Sequence, residues 1–157
     1  MAKIEEIYKH INFPTYQDKA IASMLYLAAV IERHFEGKLL PYGISVQQFR
    51  ILRVLHKFYP GGVAIYKLPQ FLPNRKSDVS RMMVRMQNLG WVERIQDTKD
   101  KRITNASISP AGIELLNQIS SNENSLMLDI RSINEEQAEK LNELLQPLVE
   151  EFYTGDE

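Results

Sequence analysis

The chain has 157 residues, 44% of them hydrophobic, and a formal net charge of −1, which fits one globular domain, or one domain with added oligomerisation helices, and argues against disorder. No apolar run approaches the roughly 18 residues of a membrane span, and the absence of cysteine excludes disulfides, thiolate metal sites and thiol redox switching. The opening Met1-Ala2-Lys3-Ile4-Glu5-Glu6 lacks the apolar stretch of a secretion signal, so the expected compartment is the cytoplasm, with no membrane partner.

Ile4, Ile7 and Ile11 give a short amphipathic opening segment, broken at Asn12-Phe13-Pro14-Thr15. A helix is predicted from about Tyr16 to Leu39, with Ile21, Met24, Leu25, Ala28, Ile31 and Phe35 as its apolar stripe. Pro41-Tyr42-Gly43 signals a turn, and Ser45 with Gln48 forms a capping-box pattern for a helix that places Phe49, Leu52 and Leu55 on one face. That helix stops before Pro60-Gly61-Gly62, and a short helix is predicted from Val63 to Leu72, with Pro69 inside it and Pro73-Asn74 after it.

A helix from about Lys76 to Leu89 follows, stopped by Gly90. Trp91–Gln96 and Arg102–Ile108, rich in β-branched and aromatic residues, flank Asp97-Thr98-Lys99-Asp100-Lys101 and read as a hairpin. Ser109-Pro110 opens another helix, and Asn134-Glu135-Glu136-Gln137 caps a last one carrying Ala138, Leu141, Leu145, Leu148 and Phe152, with a bend expected at Pro147. Helix, helix, short helix, polar helix, hairpin, with long helices at both ends, is the order of a winged helix-turn-helix. The expected fold is therefore mainly α with a small β-hairpin wing (α+β). Residues 1–40 and 111–157 supply flanking dimerisation helices, and 41–110 form the DNA-binding domain.

Charge is unevenly spread. Residues 67–102 carry nine basic and four acidic side chains, whereas 103–157 carry two basic and eleven acidic. Such asymmetry is what one face meeting phosphates would show, although a solvated surface can acquire it by chance. On the polar helix, Val79, Met82, Met83, Met86, Leu89 and Gly90 share one side, which is core. Ser77, Ser80, Arg81, Val84, Arg85 and Asn88 lie on or beside the other. Arg81 can pair bidentately with guanine, and the serines can reach phosphates or base edges. Val84 suits either a thymine methyl or partial burial under the wing. Asp78, in the first turn, favours the helix dipole.

The run S-x-V-S-R-M-x-x-R-M-x-x-L-G-W-V from Ser77 to Val92, then Asp97-x-x-Asp100-Lys101-Arg102 and Ser109-Pro110-Ala111-Gly112, resembles the bacterial MarR (multiple antibiotic resistance regulator) family over roughly Leu40 to Ile119. Pro69, Pro73 and the bulky Trp91 depart from its usual pattern. The resemblance implies that Arg102 reaches from the wing towards the minor groove. It also implies that Asp100 braces the wing through a basic neighbour, Arg85 or Arg94. The DNA-binding residues it suggests are Arg75, Lys76, Ser77, Ser80, Arg81, Arg85, Lys99, Asp100, Lys101 and Arg102.

The terminal stripes are hard to bury in so small a module. A two-fold dimer would cover them and set two recognition helices about 34 Å apart on a pseudo-palindrome; a helical cap on a monomer is the alternative. The resemblance further implies a small aromatic or phenolic effector in a crevice between the dimerisation helices and the DNA-binding lobe, for which Met24, Tyr26, Phe35, Phe49 and His56 are candidate lining or simply core. His10, His34 and His56 are too scattered for a metal site, and no cofactor motif is present. The expected function is a homodimeric sequence-specific transcription regulator, in this family a repressor more often than an activator. The alternative is a winged helix that binds protein and has no operator of its own. An enzyme is not expected, because no P-loop, glycine fingerprint, H-E-x-x-H or nucleophile elbow occurs.

Overall fold

The computed structural model describes residues 3–73, 78–97, 100–121 and 132–152. A short helix α1 (Ile4–Ile7) leads to the long α2 (Tyr16–Leu39), then α3 (Val46–Lys57). The chain continues through β1 (Val63–Ala64), a 3-10 segment over Ile65–Phe71, α4 (Val79–Asn88), β2 (Val92–Gln96), β3 (Thr104–Ile108), α5 (Pro110–Ser121) and α6 (Glu135–Phe152). The helices begin where side chains can satisfy their free N–H groups. Ser45 Oγ accepts from Gln48 N at 3.2 Å while Gln48 Oε1 accepts from Ser45 N at 2.9 Å, and Asn134 and Gln137 make the same reciprocal pair ahead of α6. Thr15 and Asp18 do so for α2.

The core lies among α3, the 3-10 segment, α4, the sheet and α5. Leu39, Leu52, Leu55, Met83 and Met86 are fully enclosed there, beside Ile51, Leu68 and Ala106. One correction concerns Val63 and Ala64. The sequence suggested that they open a helix, but they form β1, which pairs antiparallel with β3 (Val63 opposite Ala106, Ala64 opposite Asn105). The expected hairpin is thus part of a three-stranded sheet in the order β1-β3-β2. Only from Ile65 does the chain coil, and then as a 3-10 helix with Pro69 inside it.

The terminal helices bury little in a single chain. Leu39 is the one buried residue of α2, and none of the described residues of α6 is buried. Ile21 and Leu25 of the expected α2 stripe are exposed, whereas Phe35 packs against the core. The α6 helix continues through Pro147 to Phe152. Lys19 on α2 pairs with Glu5, tying α1 down and holding that carboxyl below its ordinary pKa. Arg50 of α3 donates to both carboxylate oxygens of Glu32, at 3.0 and 3.3 Å, and so joins α3 to α2. Among the described residues no helix is long and apolar enough to cross a membrane.

Candidate nucleic-acid interface

Helix α4 is sharply two-sided. Val79, Met83 and Met86 are buried, Met82 is half-buried against the core, and Ser80, Arg81, Val84 and Arg85 face outwards. Val84 is exposed, so the wing does not cover it. Leu89 departs from its expected core position: it is the C-cap and exposed, because the helix ends there. Gly90, at φ +75°, turns the chain out of α4. Its N–H donates to Gln87 O at 2.9 Å and that of Trp91 to Met86 O at 3.0 Å, the paired bonds of a glycine-terminated helix. A residue with a Cβ is strained at that φ, which is why the helix stops where the wing must start.

At its other end α4 opens at Val79, with Asp78 as the N-cap and not part of the first turn. Asp78 Oδ1 accepts from Arg81 N at 3.1 Å, and Oδ2 lies 2.9 Å from Arg81 Nε. The Arg81 side chain is 91% exposed and still held by this contact. Of the DNA-binding residues suggested by sequence, Arg75, Lys76 and Ser77 lie outside the described residues, as does Lys99 in the wing.

The wing is built from β2 and β3 in unbroken register, Val92 opposite Ile108 to Gln96 opposite Thr104. Val92, Ala106 and Ile108 seat its base in the core. Its tip is organised by carboxylates that accept backbone and amide N–H groups. Asp97 Oδ1 accepts from Asp100 N at 3.1 Å and Asp97 Oδ2 from Asn105 Nδ2 at 3.1 Å. Asp100 Oδ1 accepts from Arg102 N at 2.9 Å, and Ile103 N donates back to Asp100 O. The expected ion pair from Asp100 to Arg85 or Arg94 is therefore replaced by a local turn. A carboxylate next to unsatisfied loop N–H groups binds them before it reaches a side chain across the sheet. Lys101 and Arg102 are exposed beyond this frame.

The wing is also locked at its root, by residues that sequence patterning matched to a motif without giving them a role. Ser109 is buried; its N–H donates to Trp91 O at 3.0 Å and its Oγ to Gly90 O at 2.5 Å, while Gly112 N donates to that Oγ at 3.1 Å. One hydroxyl thus caps α5 and fastens it to the turn that links α4 to the wing. Gly112 allows the approach: a Cβ there would stand 2.3 Å from Trp91 O and 2.8 Å from Ile108 Cγ1.

A cleft of about 610 Å³ opens between the α2–α3 junction and α4, lined by Glu36, Leu40, Ile44, Gln48, Arg81 and Arg85 among others. The structure does not bring the five expected ligand-lining residues together on it. Phe49 is buried in the core and Phe35 packs against it, Met24 is half-buried, and Tyr26 and His56 are exposed. No group of three or more His, Cys, Asp or Glu side chains among the described residues could hold a metal ion.

Comparison with known proteins agrees with this architecture. The MarR family model matches residues 44–104, from just before α3 to the first residue of β3. A MarR-like transcription regulator from Bacillus cereus superimposes with a TM-score of 0.78 at 20% identity, covering 87% of this chain and 98% of that one. AbsC, a MarR family transcriptional regulator from Streptomyces coelicolor, gives 0.78 at 21% identity over 92% and 100%. A mutant MarR from E. coli, solved in complex with operator DNA, gives 0.74 at 18% identity over 88% and 99%. No curated protein matches the sequence. The matched segment holds the outward face of α4, the glycine stop and the carboxylate-braced turn and is similar to the MarR family, and the solved structures share the winged helix-turn-helix fold of this chain.

Proposed function

We propose that this chain is a transcription regulator of the MarR type, a homodimer that binds a pseudo-palindromic duplex operator, acts as a repressor and is released by a small aromatic or phenolic effector. The observation that carries the reading is the pairing of two exposed basic elements on one rigid frame. Ser80, Arg81 and Arg85 face outwards on α4, and Lys101 and Arg102 stand beyond a tip fixed by Asp97 and Asp100. Arg75, Lys76 and Lys99 extend the same basic stretch in sequence, and Ser77 adds a hydroxyl beside them. Arg81 suits a guanine edge and Arg102 a narrow minor groove.

Dimerisation is supported by what a single chain leaves uncovered. Ile21 and Leu25 on α2, and Leu144, Val149 and Phe152 on α6, are all more than half exposed. Interleaving the terminal helices of two chains removes these faces from water, at roughly 25 cal/mol per Å² of apolar surface. Residues 1–40 and 111–157 then serve assembly while 41–110 serve DNA. For the effector, the cleft beside α4 supports a site whose walls include the two arginines proposed to meet DNA. A small aromatic acid seated there would draw Arg81 and Arg85 away from the operator.

The test is binding of the purified protein to the intergenic DNA beside its own gene, with excess non-specific competitor and at two salt concentrations. The proposal expects retention on one fragment, weakening steeply with salt as phosphate contacts release counterions, and loss of retention when a small aromatic acid is added. Binding abolished by competitor would point instead to a winged helix whose partner is protein.

A further inference from the structure

Asp78 meets Arg81 through one hydrogen bond to its main chain and one ion pair to its side chain. Its Oδ1 is committed to the main-chain N–H of Arg81 as the helix cap, and this fixes the carboxylate so that Oδ2 meets Arg81 Nε at 2.9 Å. An exposed ion pair between two freely rotating side chains contributes little. Here the cap removes the carboxylate's rotational freedom, and the helix places both groups on one turn. The ion pair engages the guanidinium on its Nε side, the two terminal Nη groups lie beyond it, and a guanine O6/N7 edge takes two such parallel donors. The carboxylate also sets a negative charge at the mouth of the reading surface, which opposes indiscriminate attraction of Arg81 to phosphates.

We infer that Asp78 is a positioning residue for sequence readout: it presents Arg81 end-on to a guanine and restrains it from the DNA backbone, giving up affinity for discrimination. The inference rests on the DNA-binding reading above and assigns a further residue to it. A plain N-cap would serve α4 equally well as serine or asparagine, so the charge is what separates the two roles.

The experiment compares the wild type with Asp78→Asn and Asp78→Ser, both of which retain a capping oxygen, on an operator obtained by selection from a random duplex pool. Variants of that operator carry each single base-pair change, and Arg81→Ala marks the base pair that Arg81 reads. Circular dichroism melting confirms that both Asp78 variants fold. The expected result is that binding to random duplex rises several-fold in both variants while preference for the guanine marked by Arg81→Ala falls by about tenfold, the scale of one bidentate contact. Adding Asp78→Asn to Arg81→Ala should then change specificity no further. Guanine preference equal to wild type in both Asp78 variants would reduce Asp78 to a cap and overturn the inference while leaving DNA binding intact. Loss of a cytosine preference at a neighbouring base pair, with guanine preference kept, would make Asp78 a direct reader and overturn it too. Failure of the wild type to enrich any sequence would overturn both this inference and the proposal beneath it.

Discussion

Replacing Gly112 with alanine should disable the wing through its root. The added Cβ would stand 2.3 Å from Trp91 O and 2.8 Å from Ile108 Cγ1, so α5 and the Trp91 turn must separate by roughly 1 Å to restore ordinary contact. Both partners are anchored, so that movement has consequences. Ser109 N to Trp91 O and Ser109 Oγ to Gly90 O cross the same gap, and Gly112 N to Ser109 Oγ holds that hydroxyl in place. A buried hydrogen bond is worth about 1 kcal/mol net, and overpacking costs about 1–3 kcal/mol. Partial loss of the two crossing bonds with the steric strain gives a destabilisation of about 3 kcal/mol, among the larger effects of single substitutions. For a domain of this size, 1 kcal/mol shifts the melting temperature by about 2–4 °C, so Tm should fall by about 6–12 °C. Thermal unfolding followed by circular dichroism, at one fixed protein concentration because a dimer's Tm depends on it, measures this. DNA affinity should drop as well at temperatures where the variant remains folded. A melting point within about 1 °C of wild type would show that the turn relaxes without resistance, contrary to the anchoring described.

Arg102→Ala should weaken operator binding and flatten its salt dependence by about one counterion per half-site while leaving the melting curve unchanged, since the side chain is exposed; unaltered affinity would remove the wing tip from the interface. Arg81→Ala should cost about 1–3 kcal/mol on the preferred site and relax preference at one base pair per half-site, as read by competition with mutated duplexes, whereas equal weakening on every sequence would make Arg81 a phosphate contact. Leu144→Glu, on the open face of α6, should convert the dimer to monomer in sedimentation and sharply weaken operator binding, because one recognition helix meets one half-site. Glu5 has a depressed pKa beside Lys19, so its support for α1 is complete above the unfolded carboxylate value and disappears as pH falls through the lowered one. Amide exchange in α1 should accelerate over that acidic range in wild type and lose this pH dependence in Glu5→Gln.

Much of the fold was legible because its signals are local. The Ser45–Gln48 and Asn134–Gln137 capping boxes, the helix stop at Gly90 and the hairpin around Asp97 each depend on residues within a few positions of one another. What escaped the sequence depends on distant partners. Two residues, Val63 and Ala64, carry no periodicity of their own and become a strand only because β3 presents an edge. Asp100 has basic residues nearby in sequence, yet the backbone N–H of Arg102 is closer and already oriented. The candidate interface divides in the same way. The polar face of α4 follows from 100° spacing, whereas the grip of Asp78 on Arg81 depends on a carboxylate orientation that spacing alone does not specify. Of the residues suggested as ligand lining, Phe35 lies on the apolar stripe of α2 and Phe49 on that of α3, and a stripe facing the core and a stripe facing a crevice have the same period.

The most direct test of DNA reading by α4 and the wing is selection of bound duplexes from a random pool, followed by footprinting of the enriched sequence. The expected result is a pseudo-palindrome with two protected half-sites about 10 base pairs apart, centre to centre, and protection extending into the flanking minor grooves. A pool that returns no enriched sequence, or a footprint confined to a single half-site with a monomer bound, would contradict it.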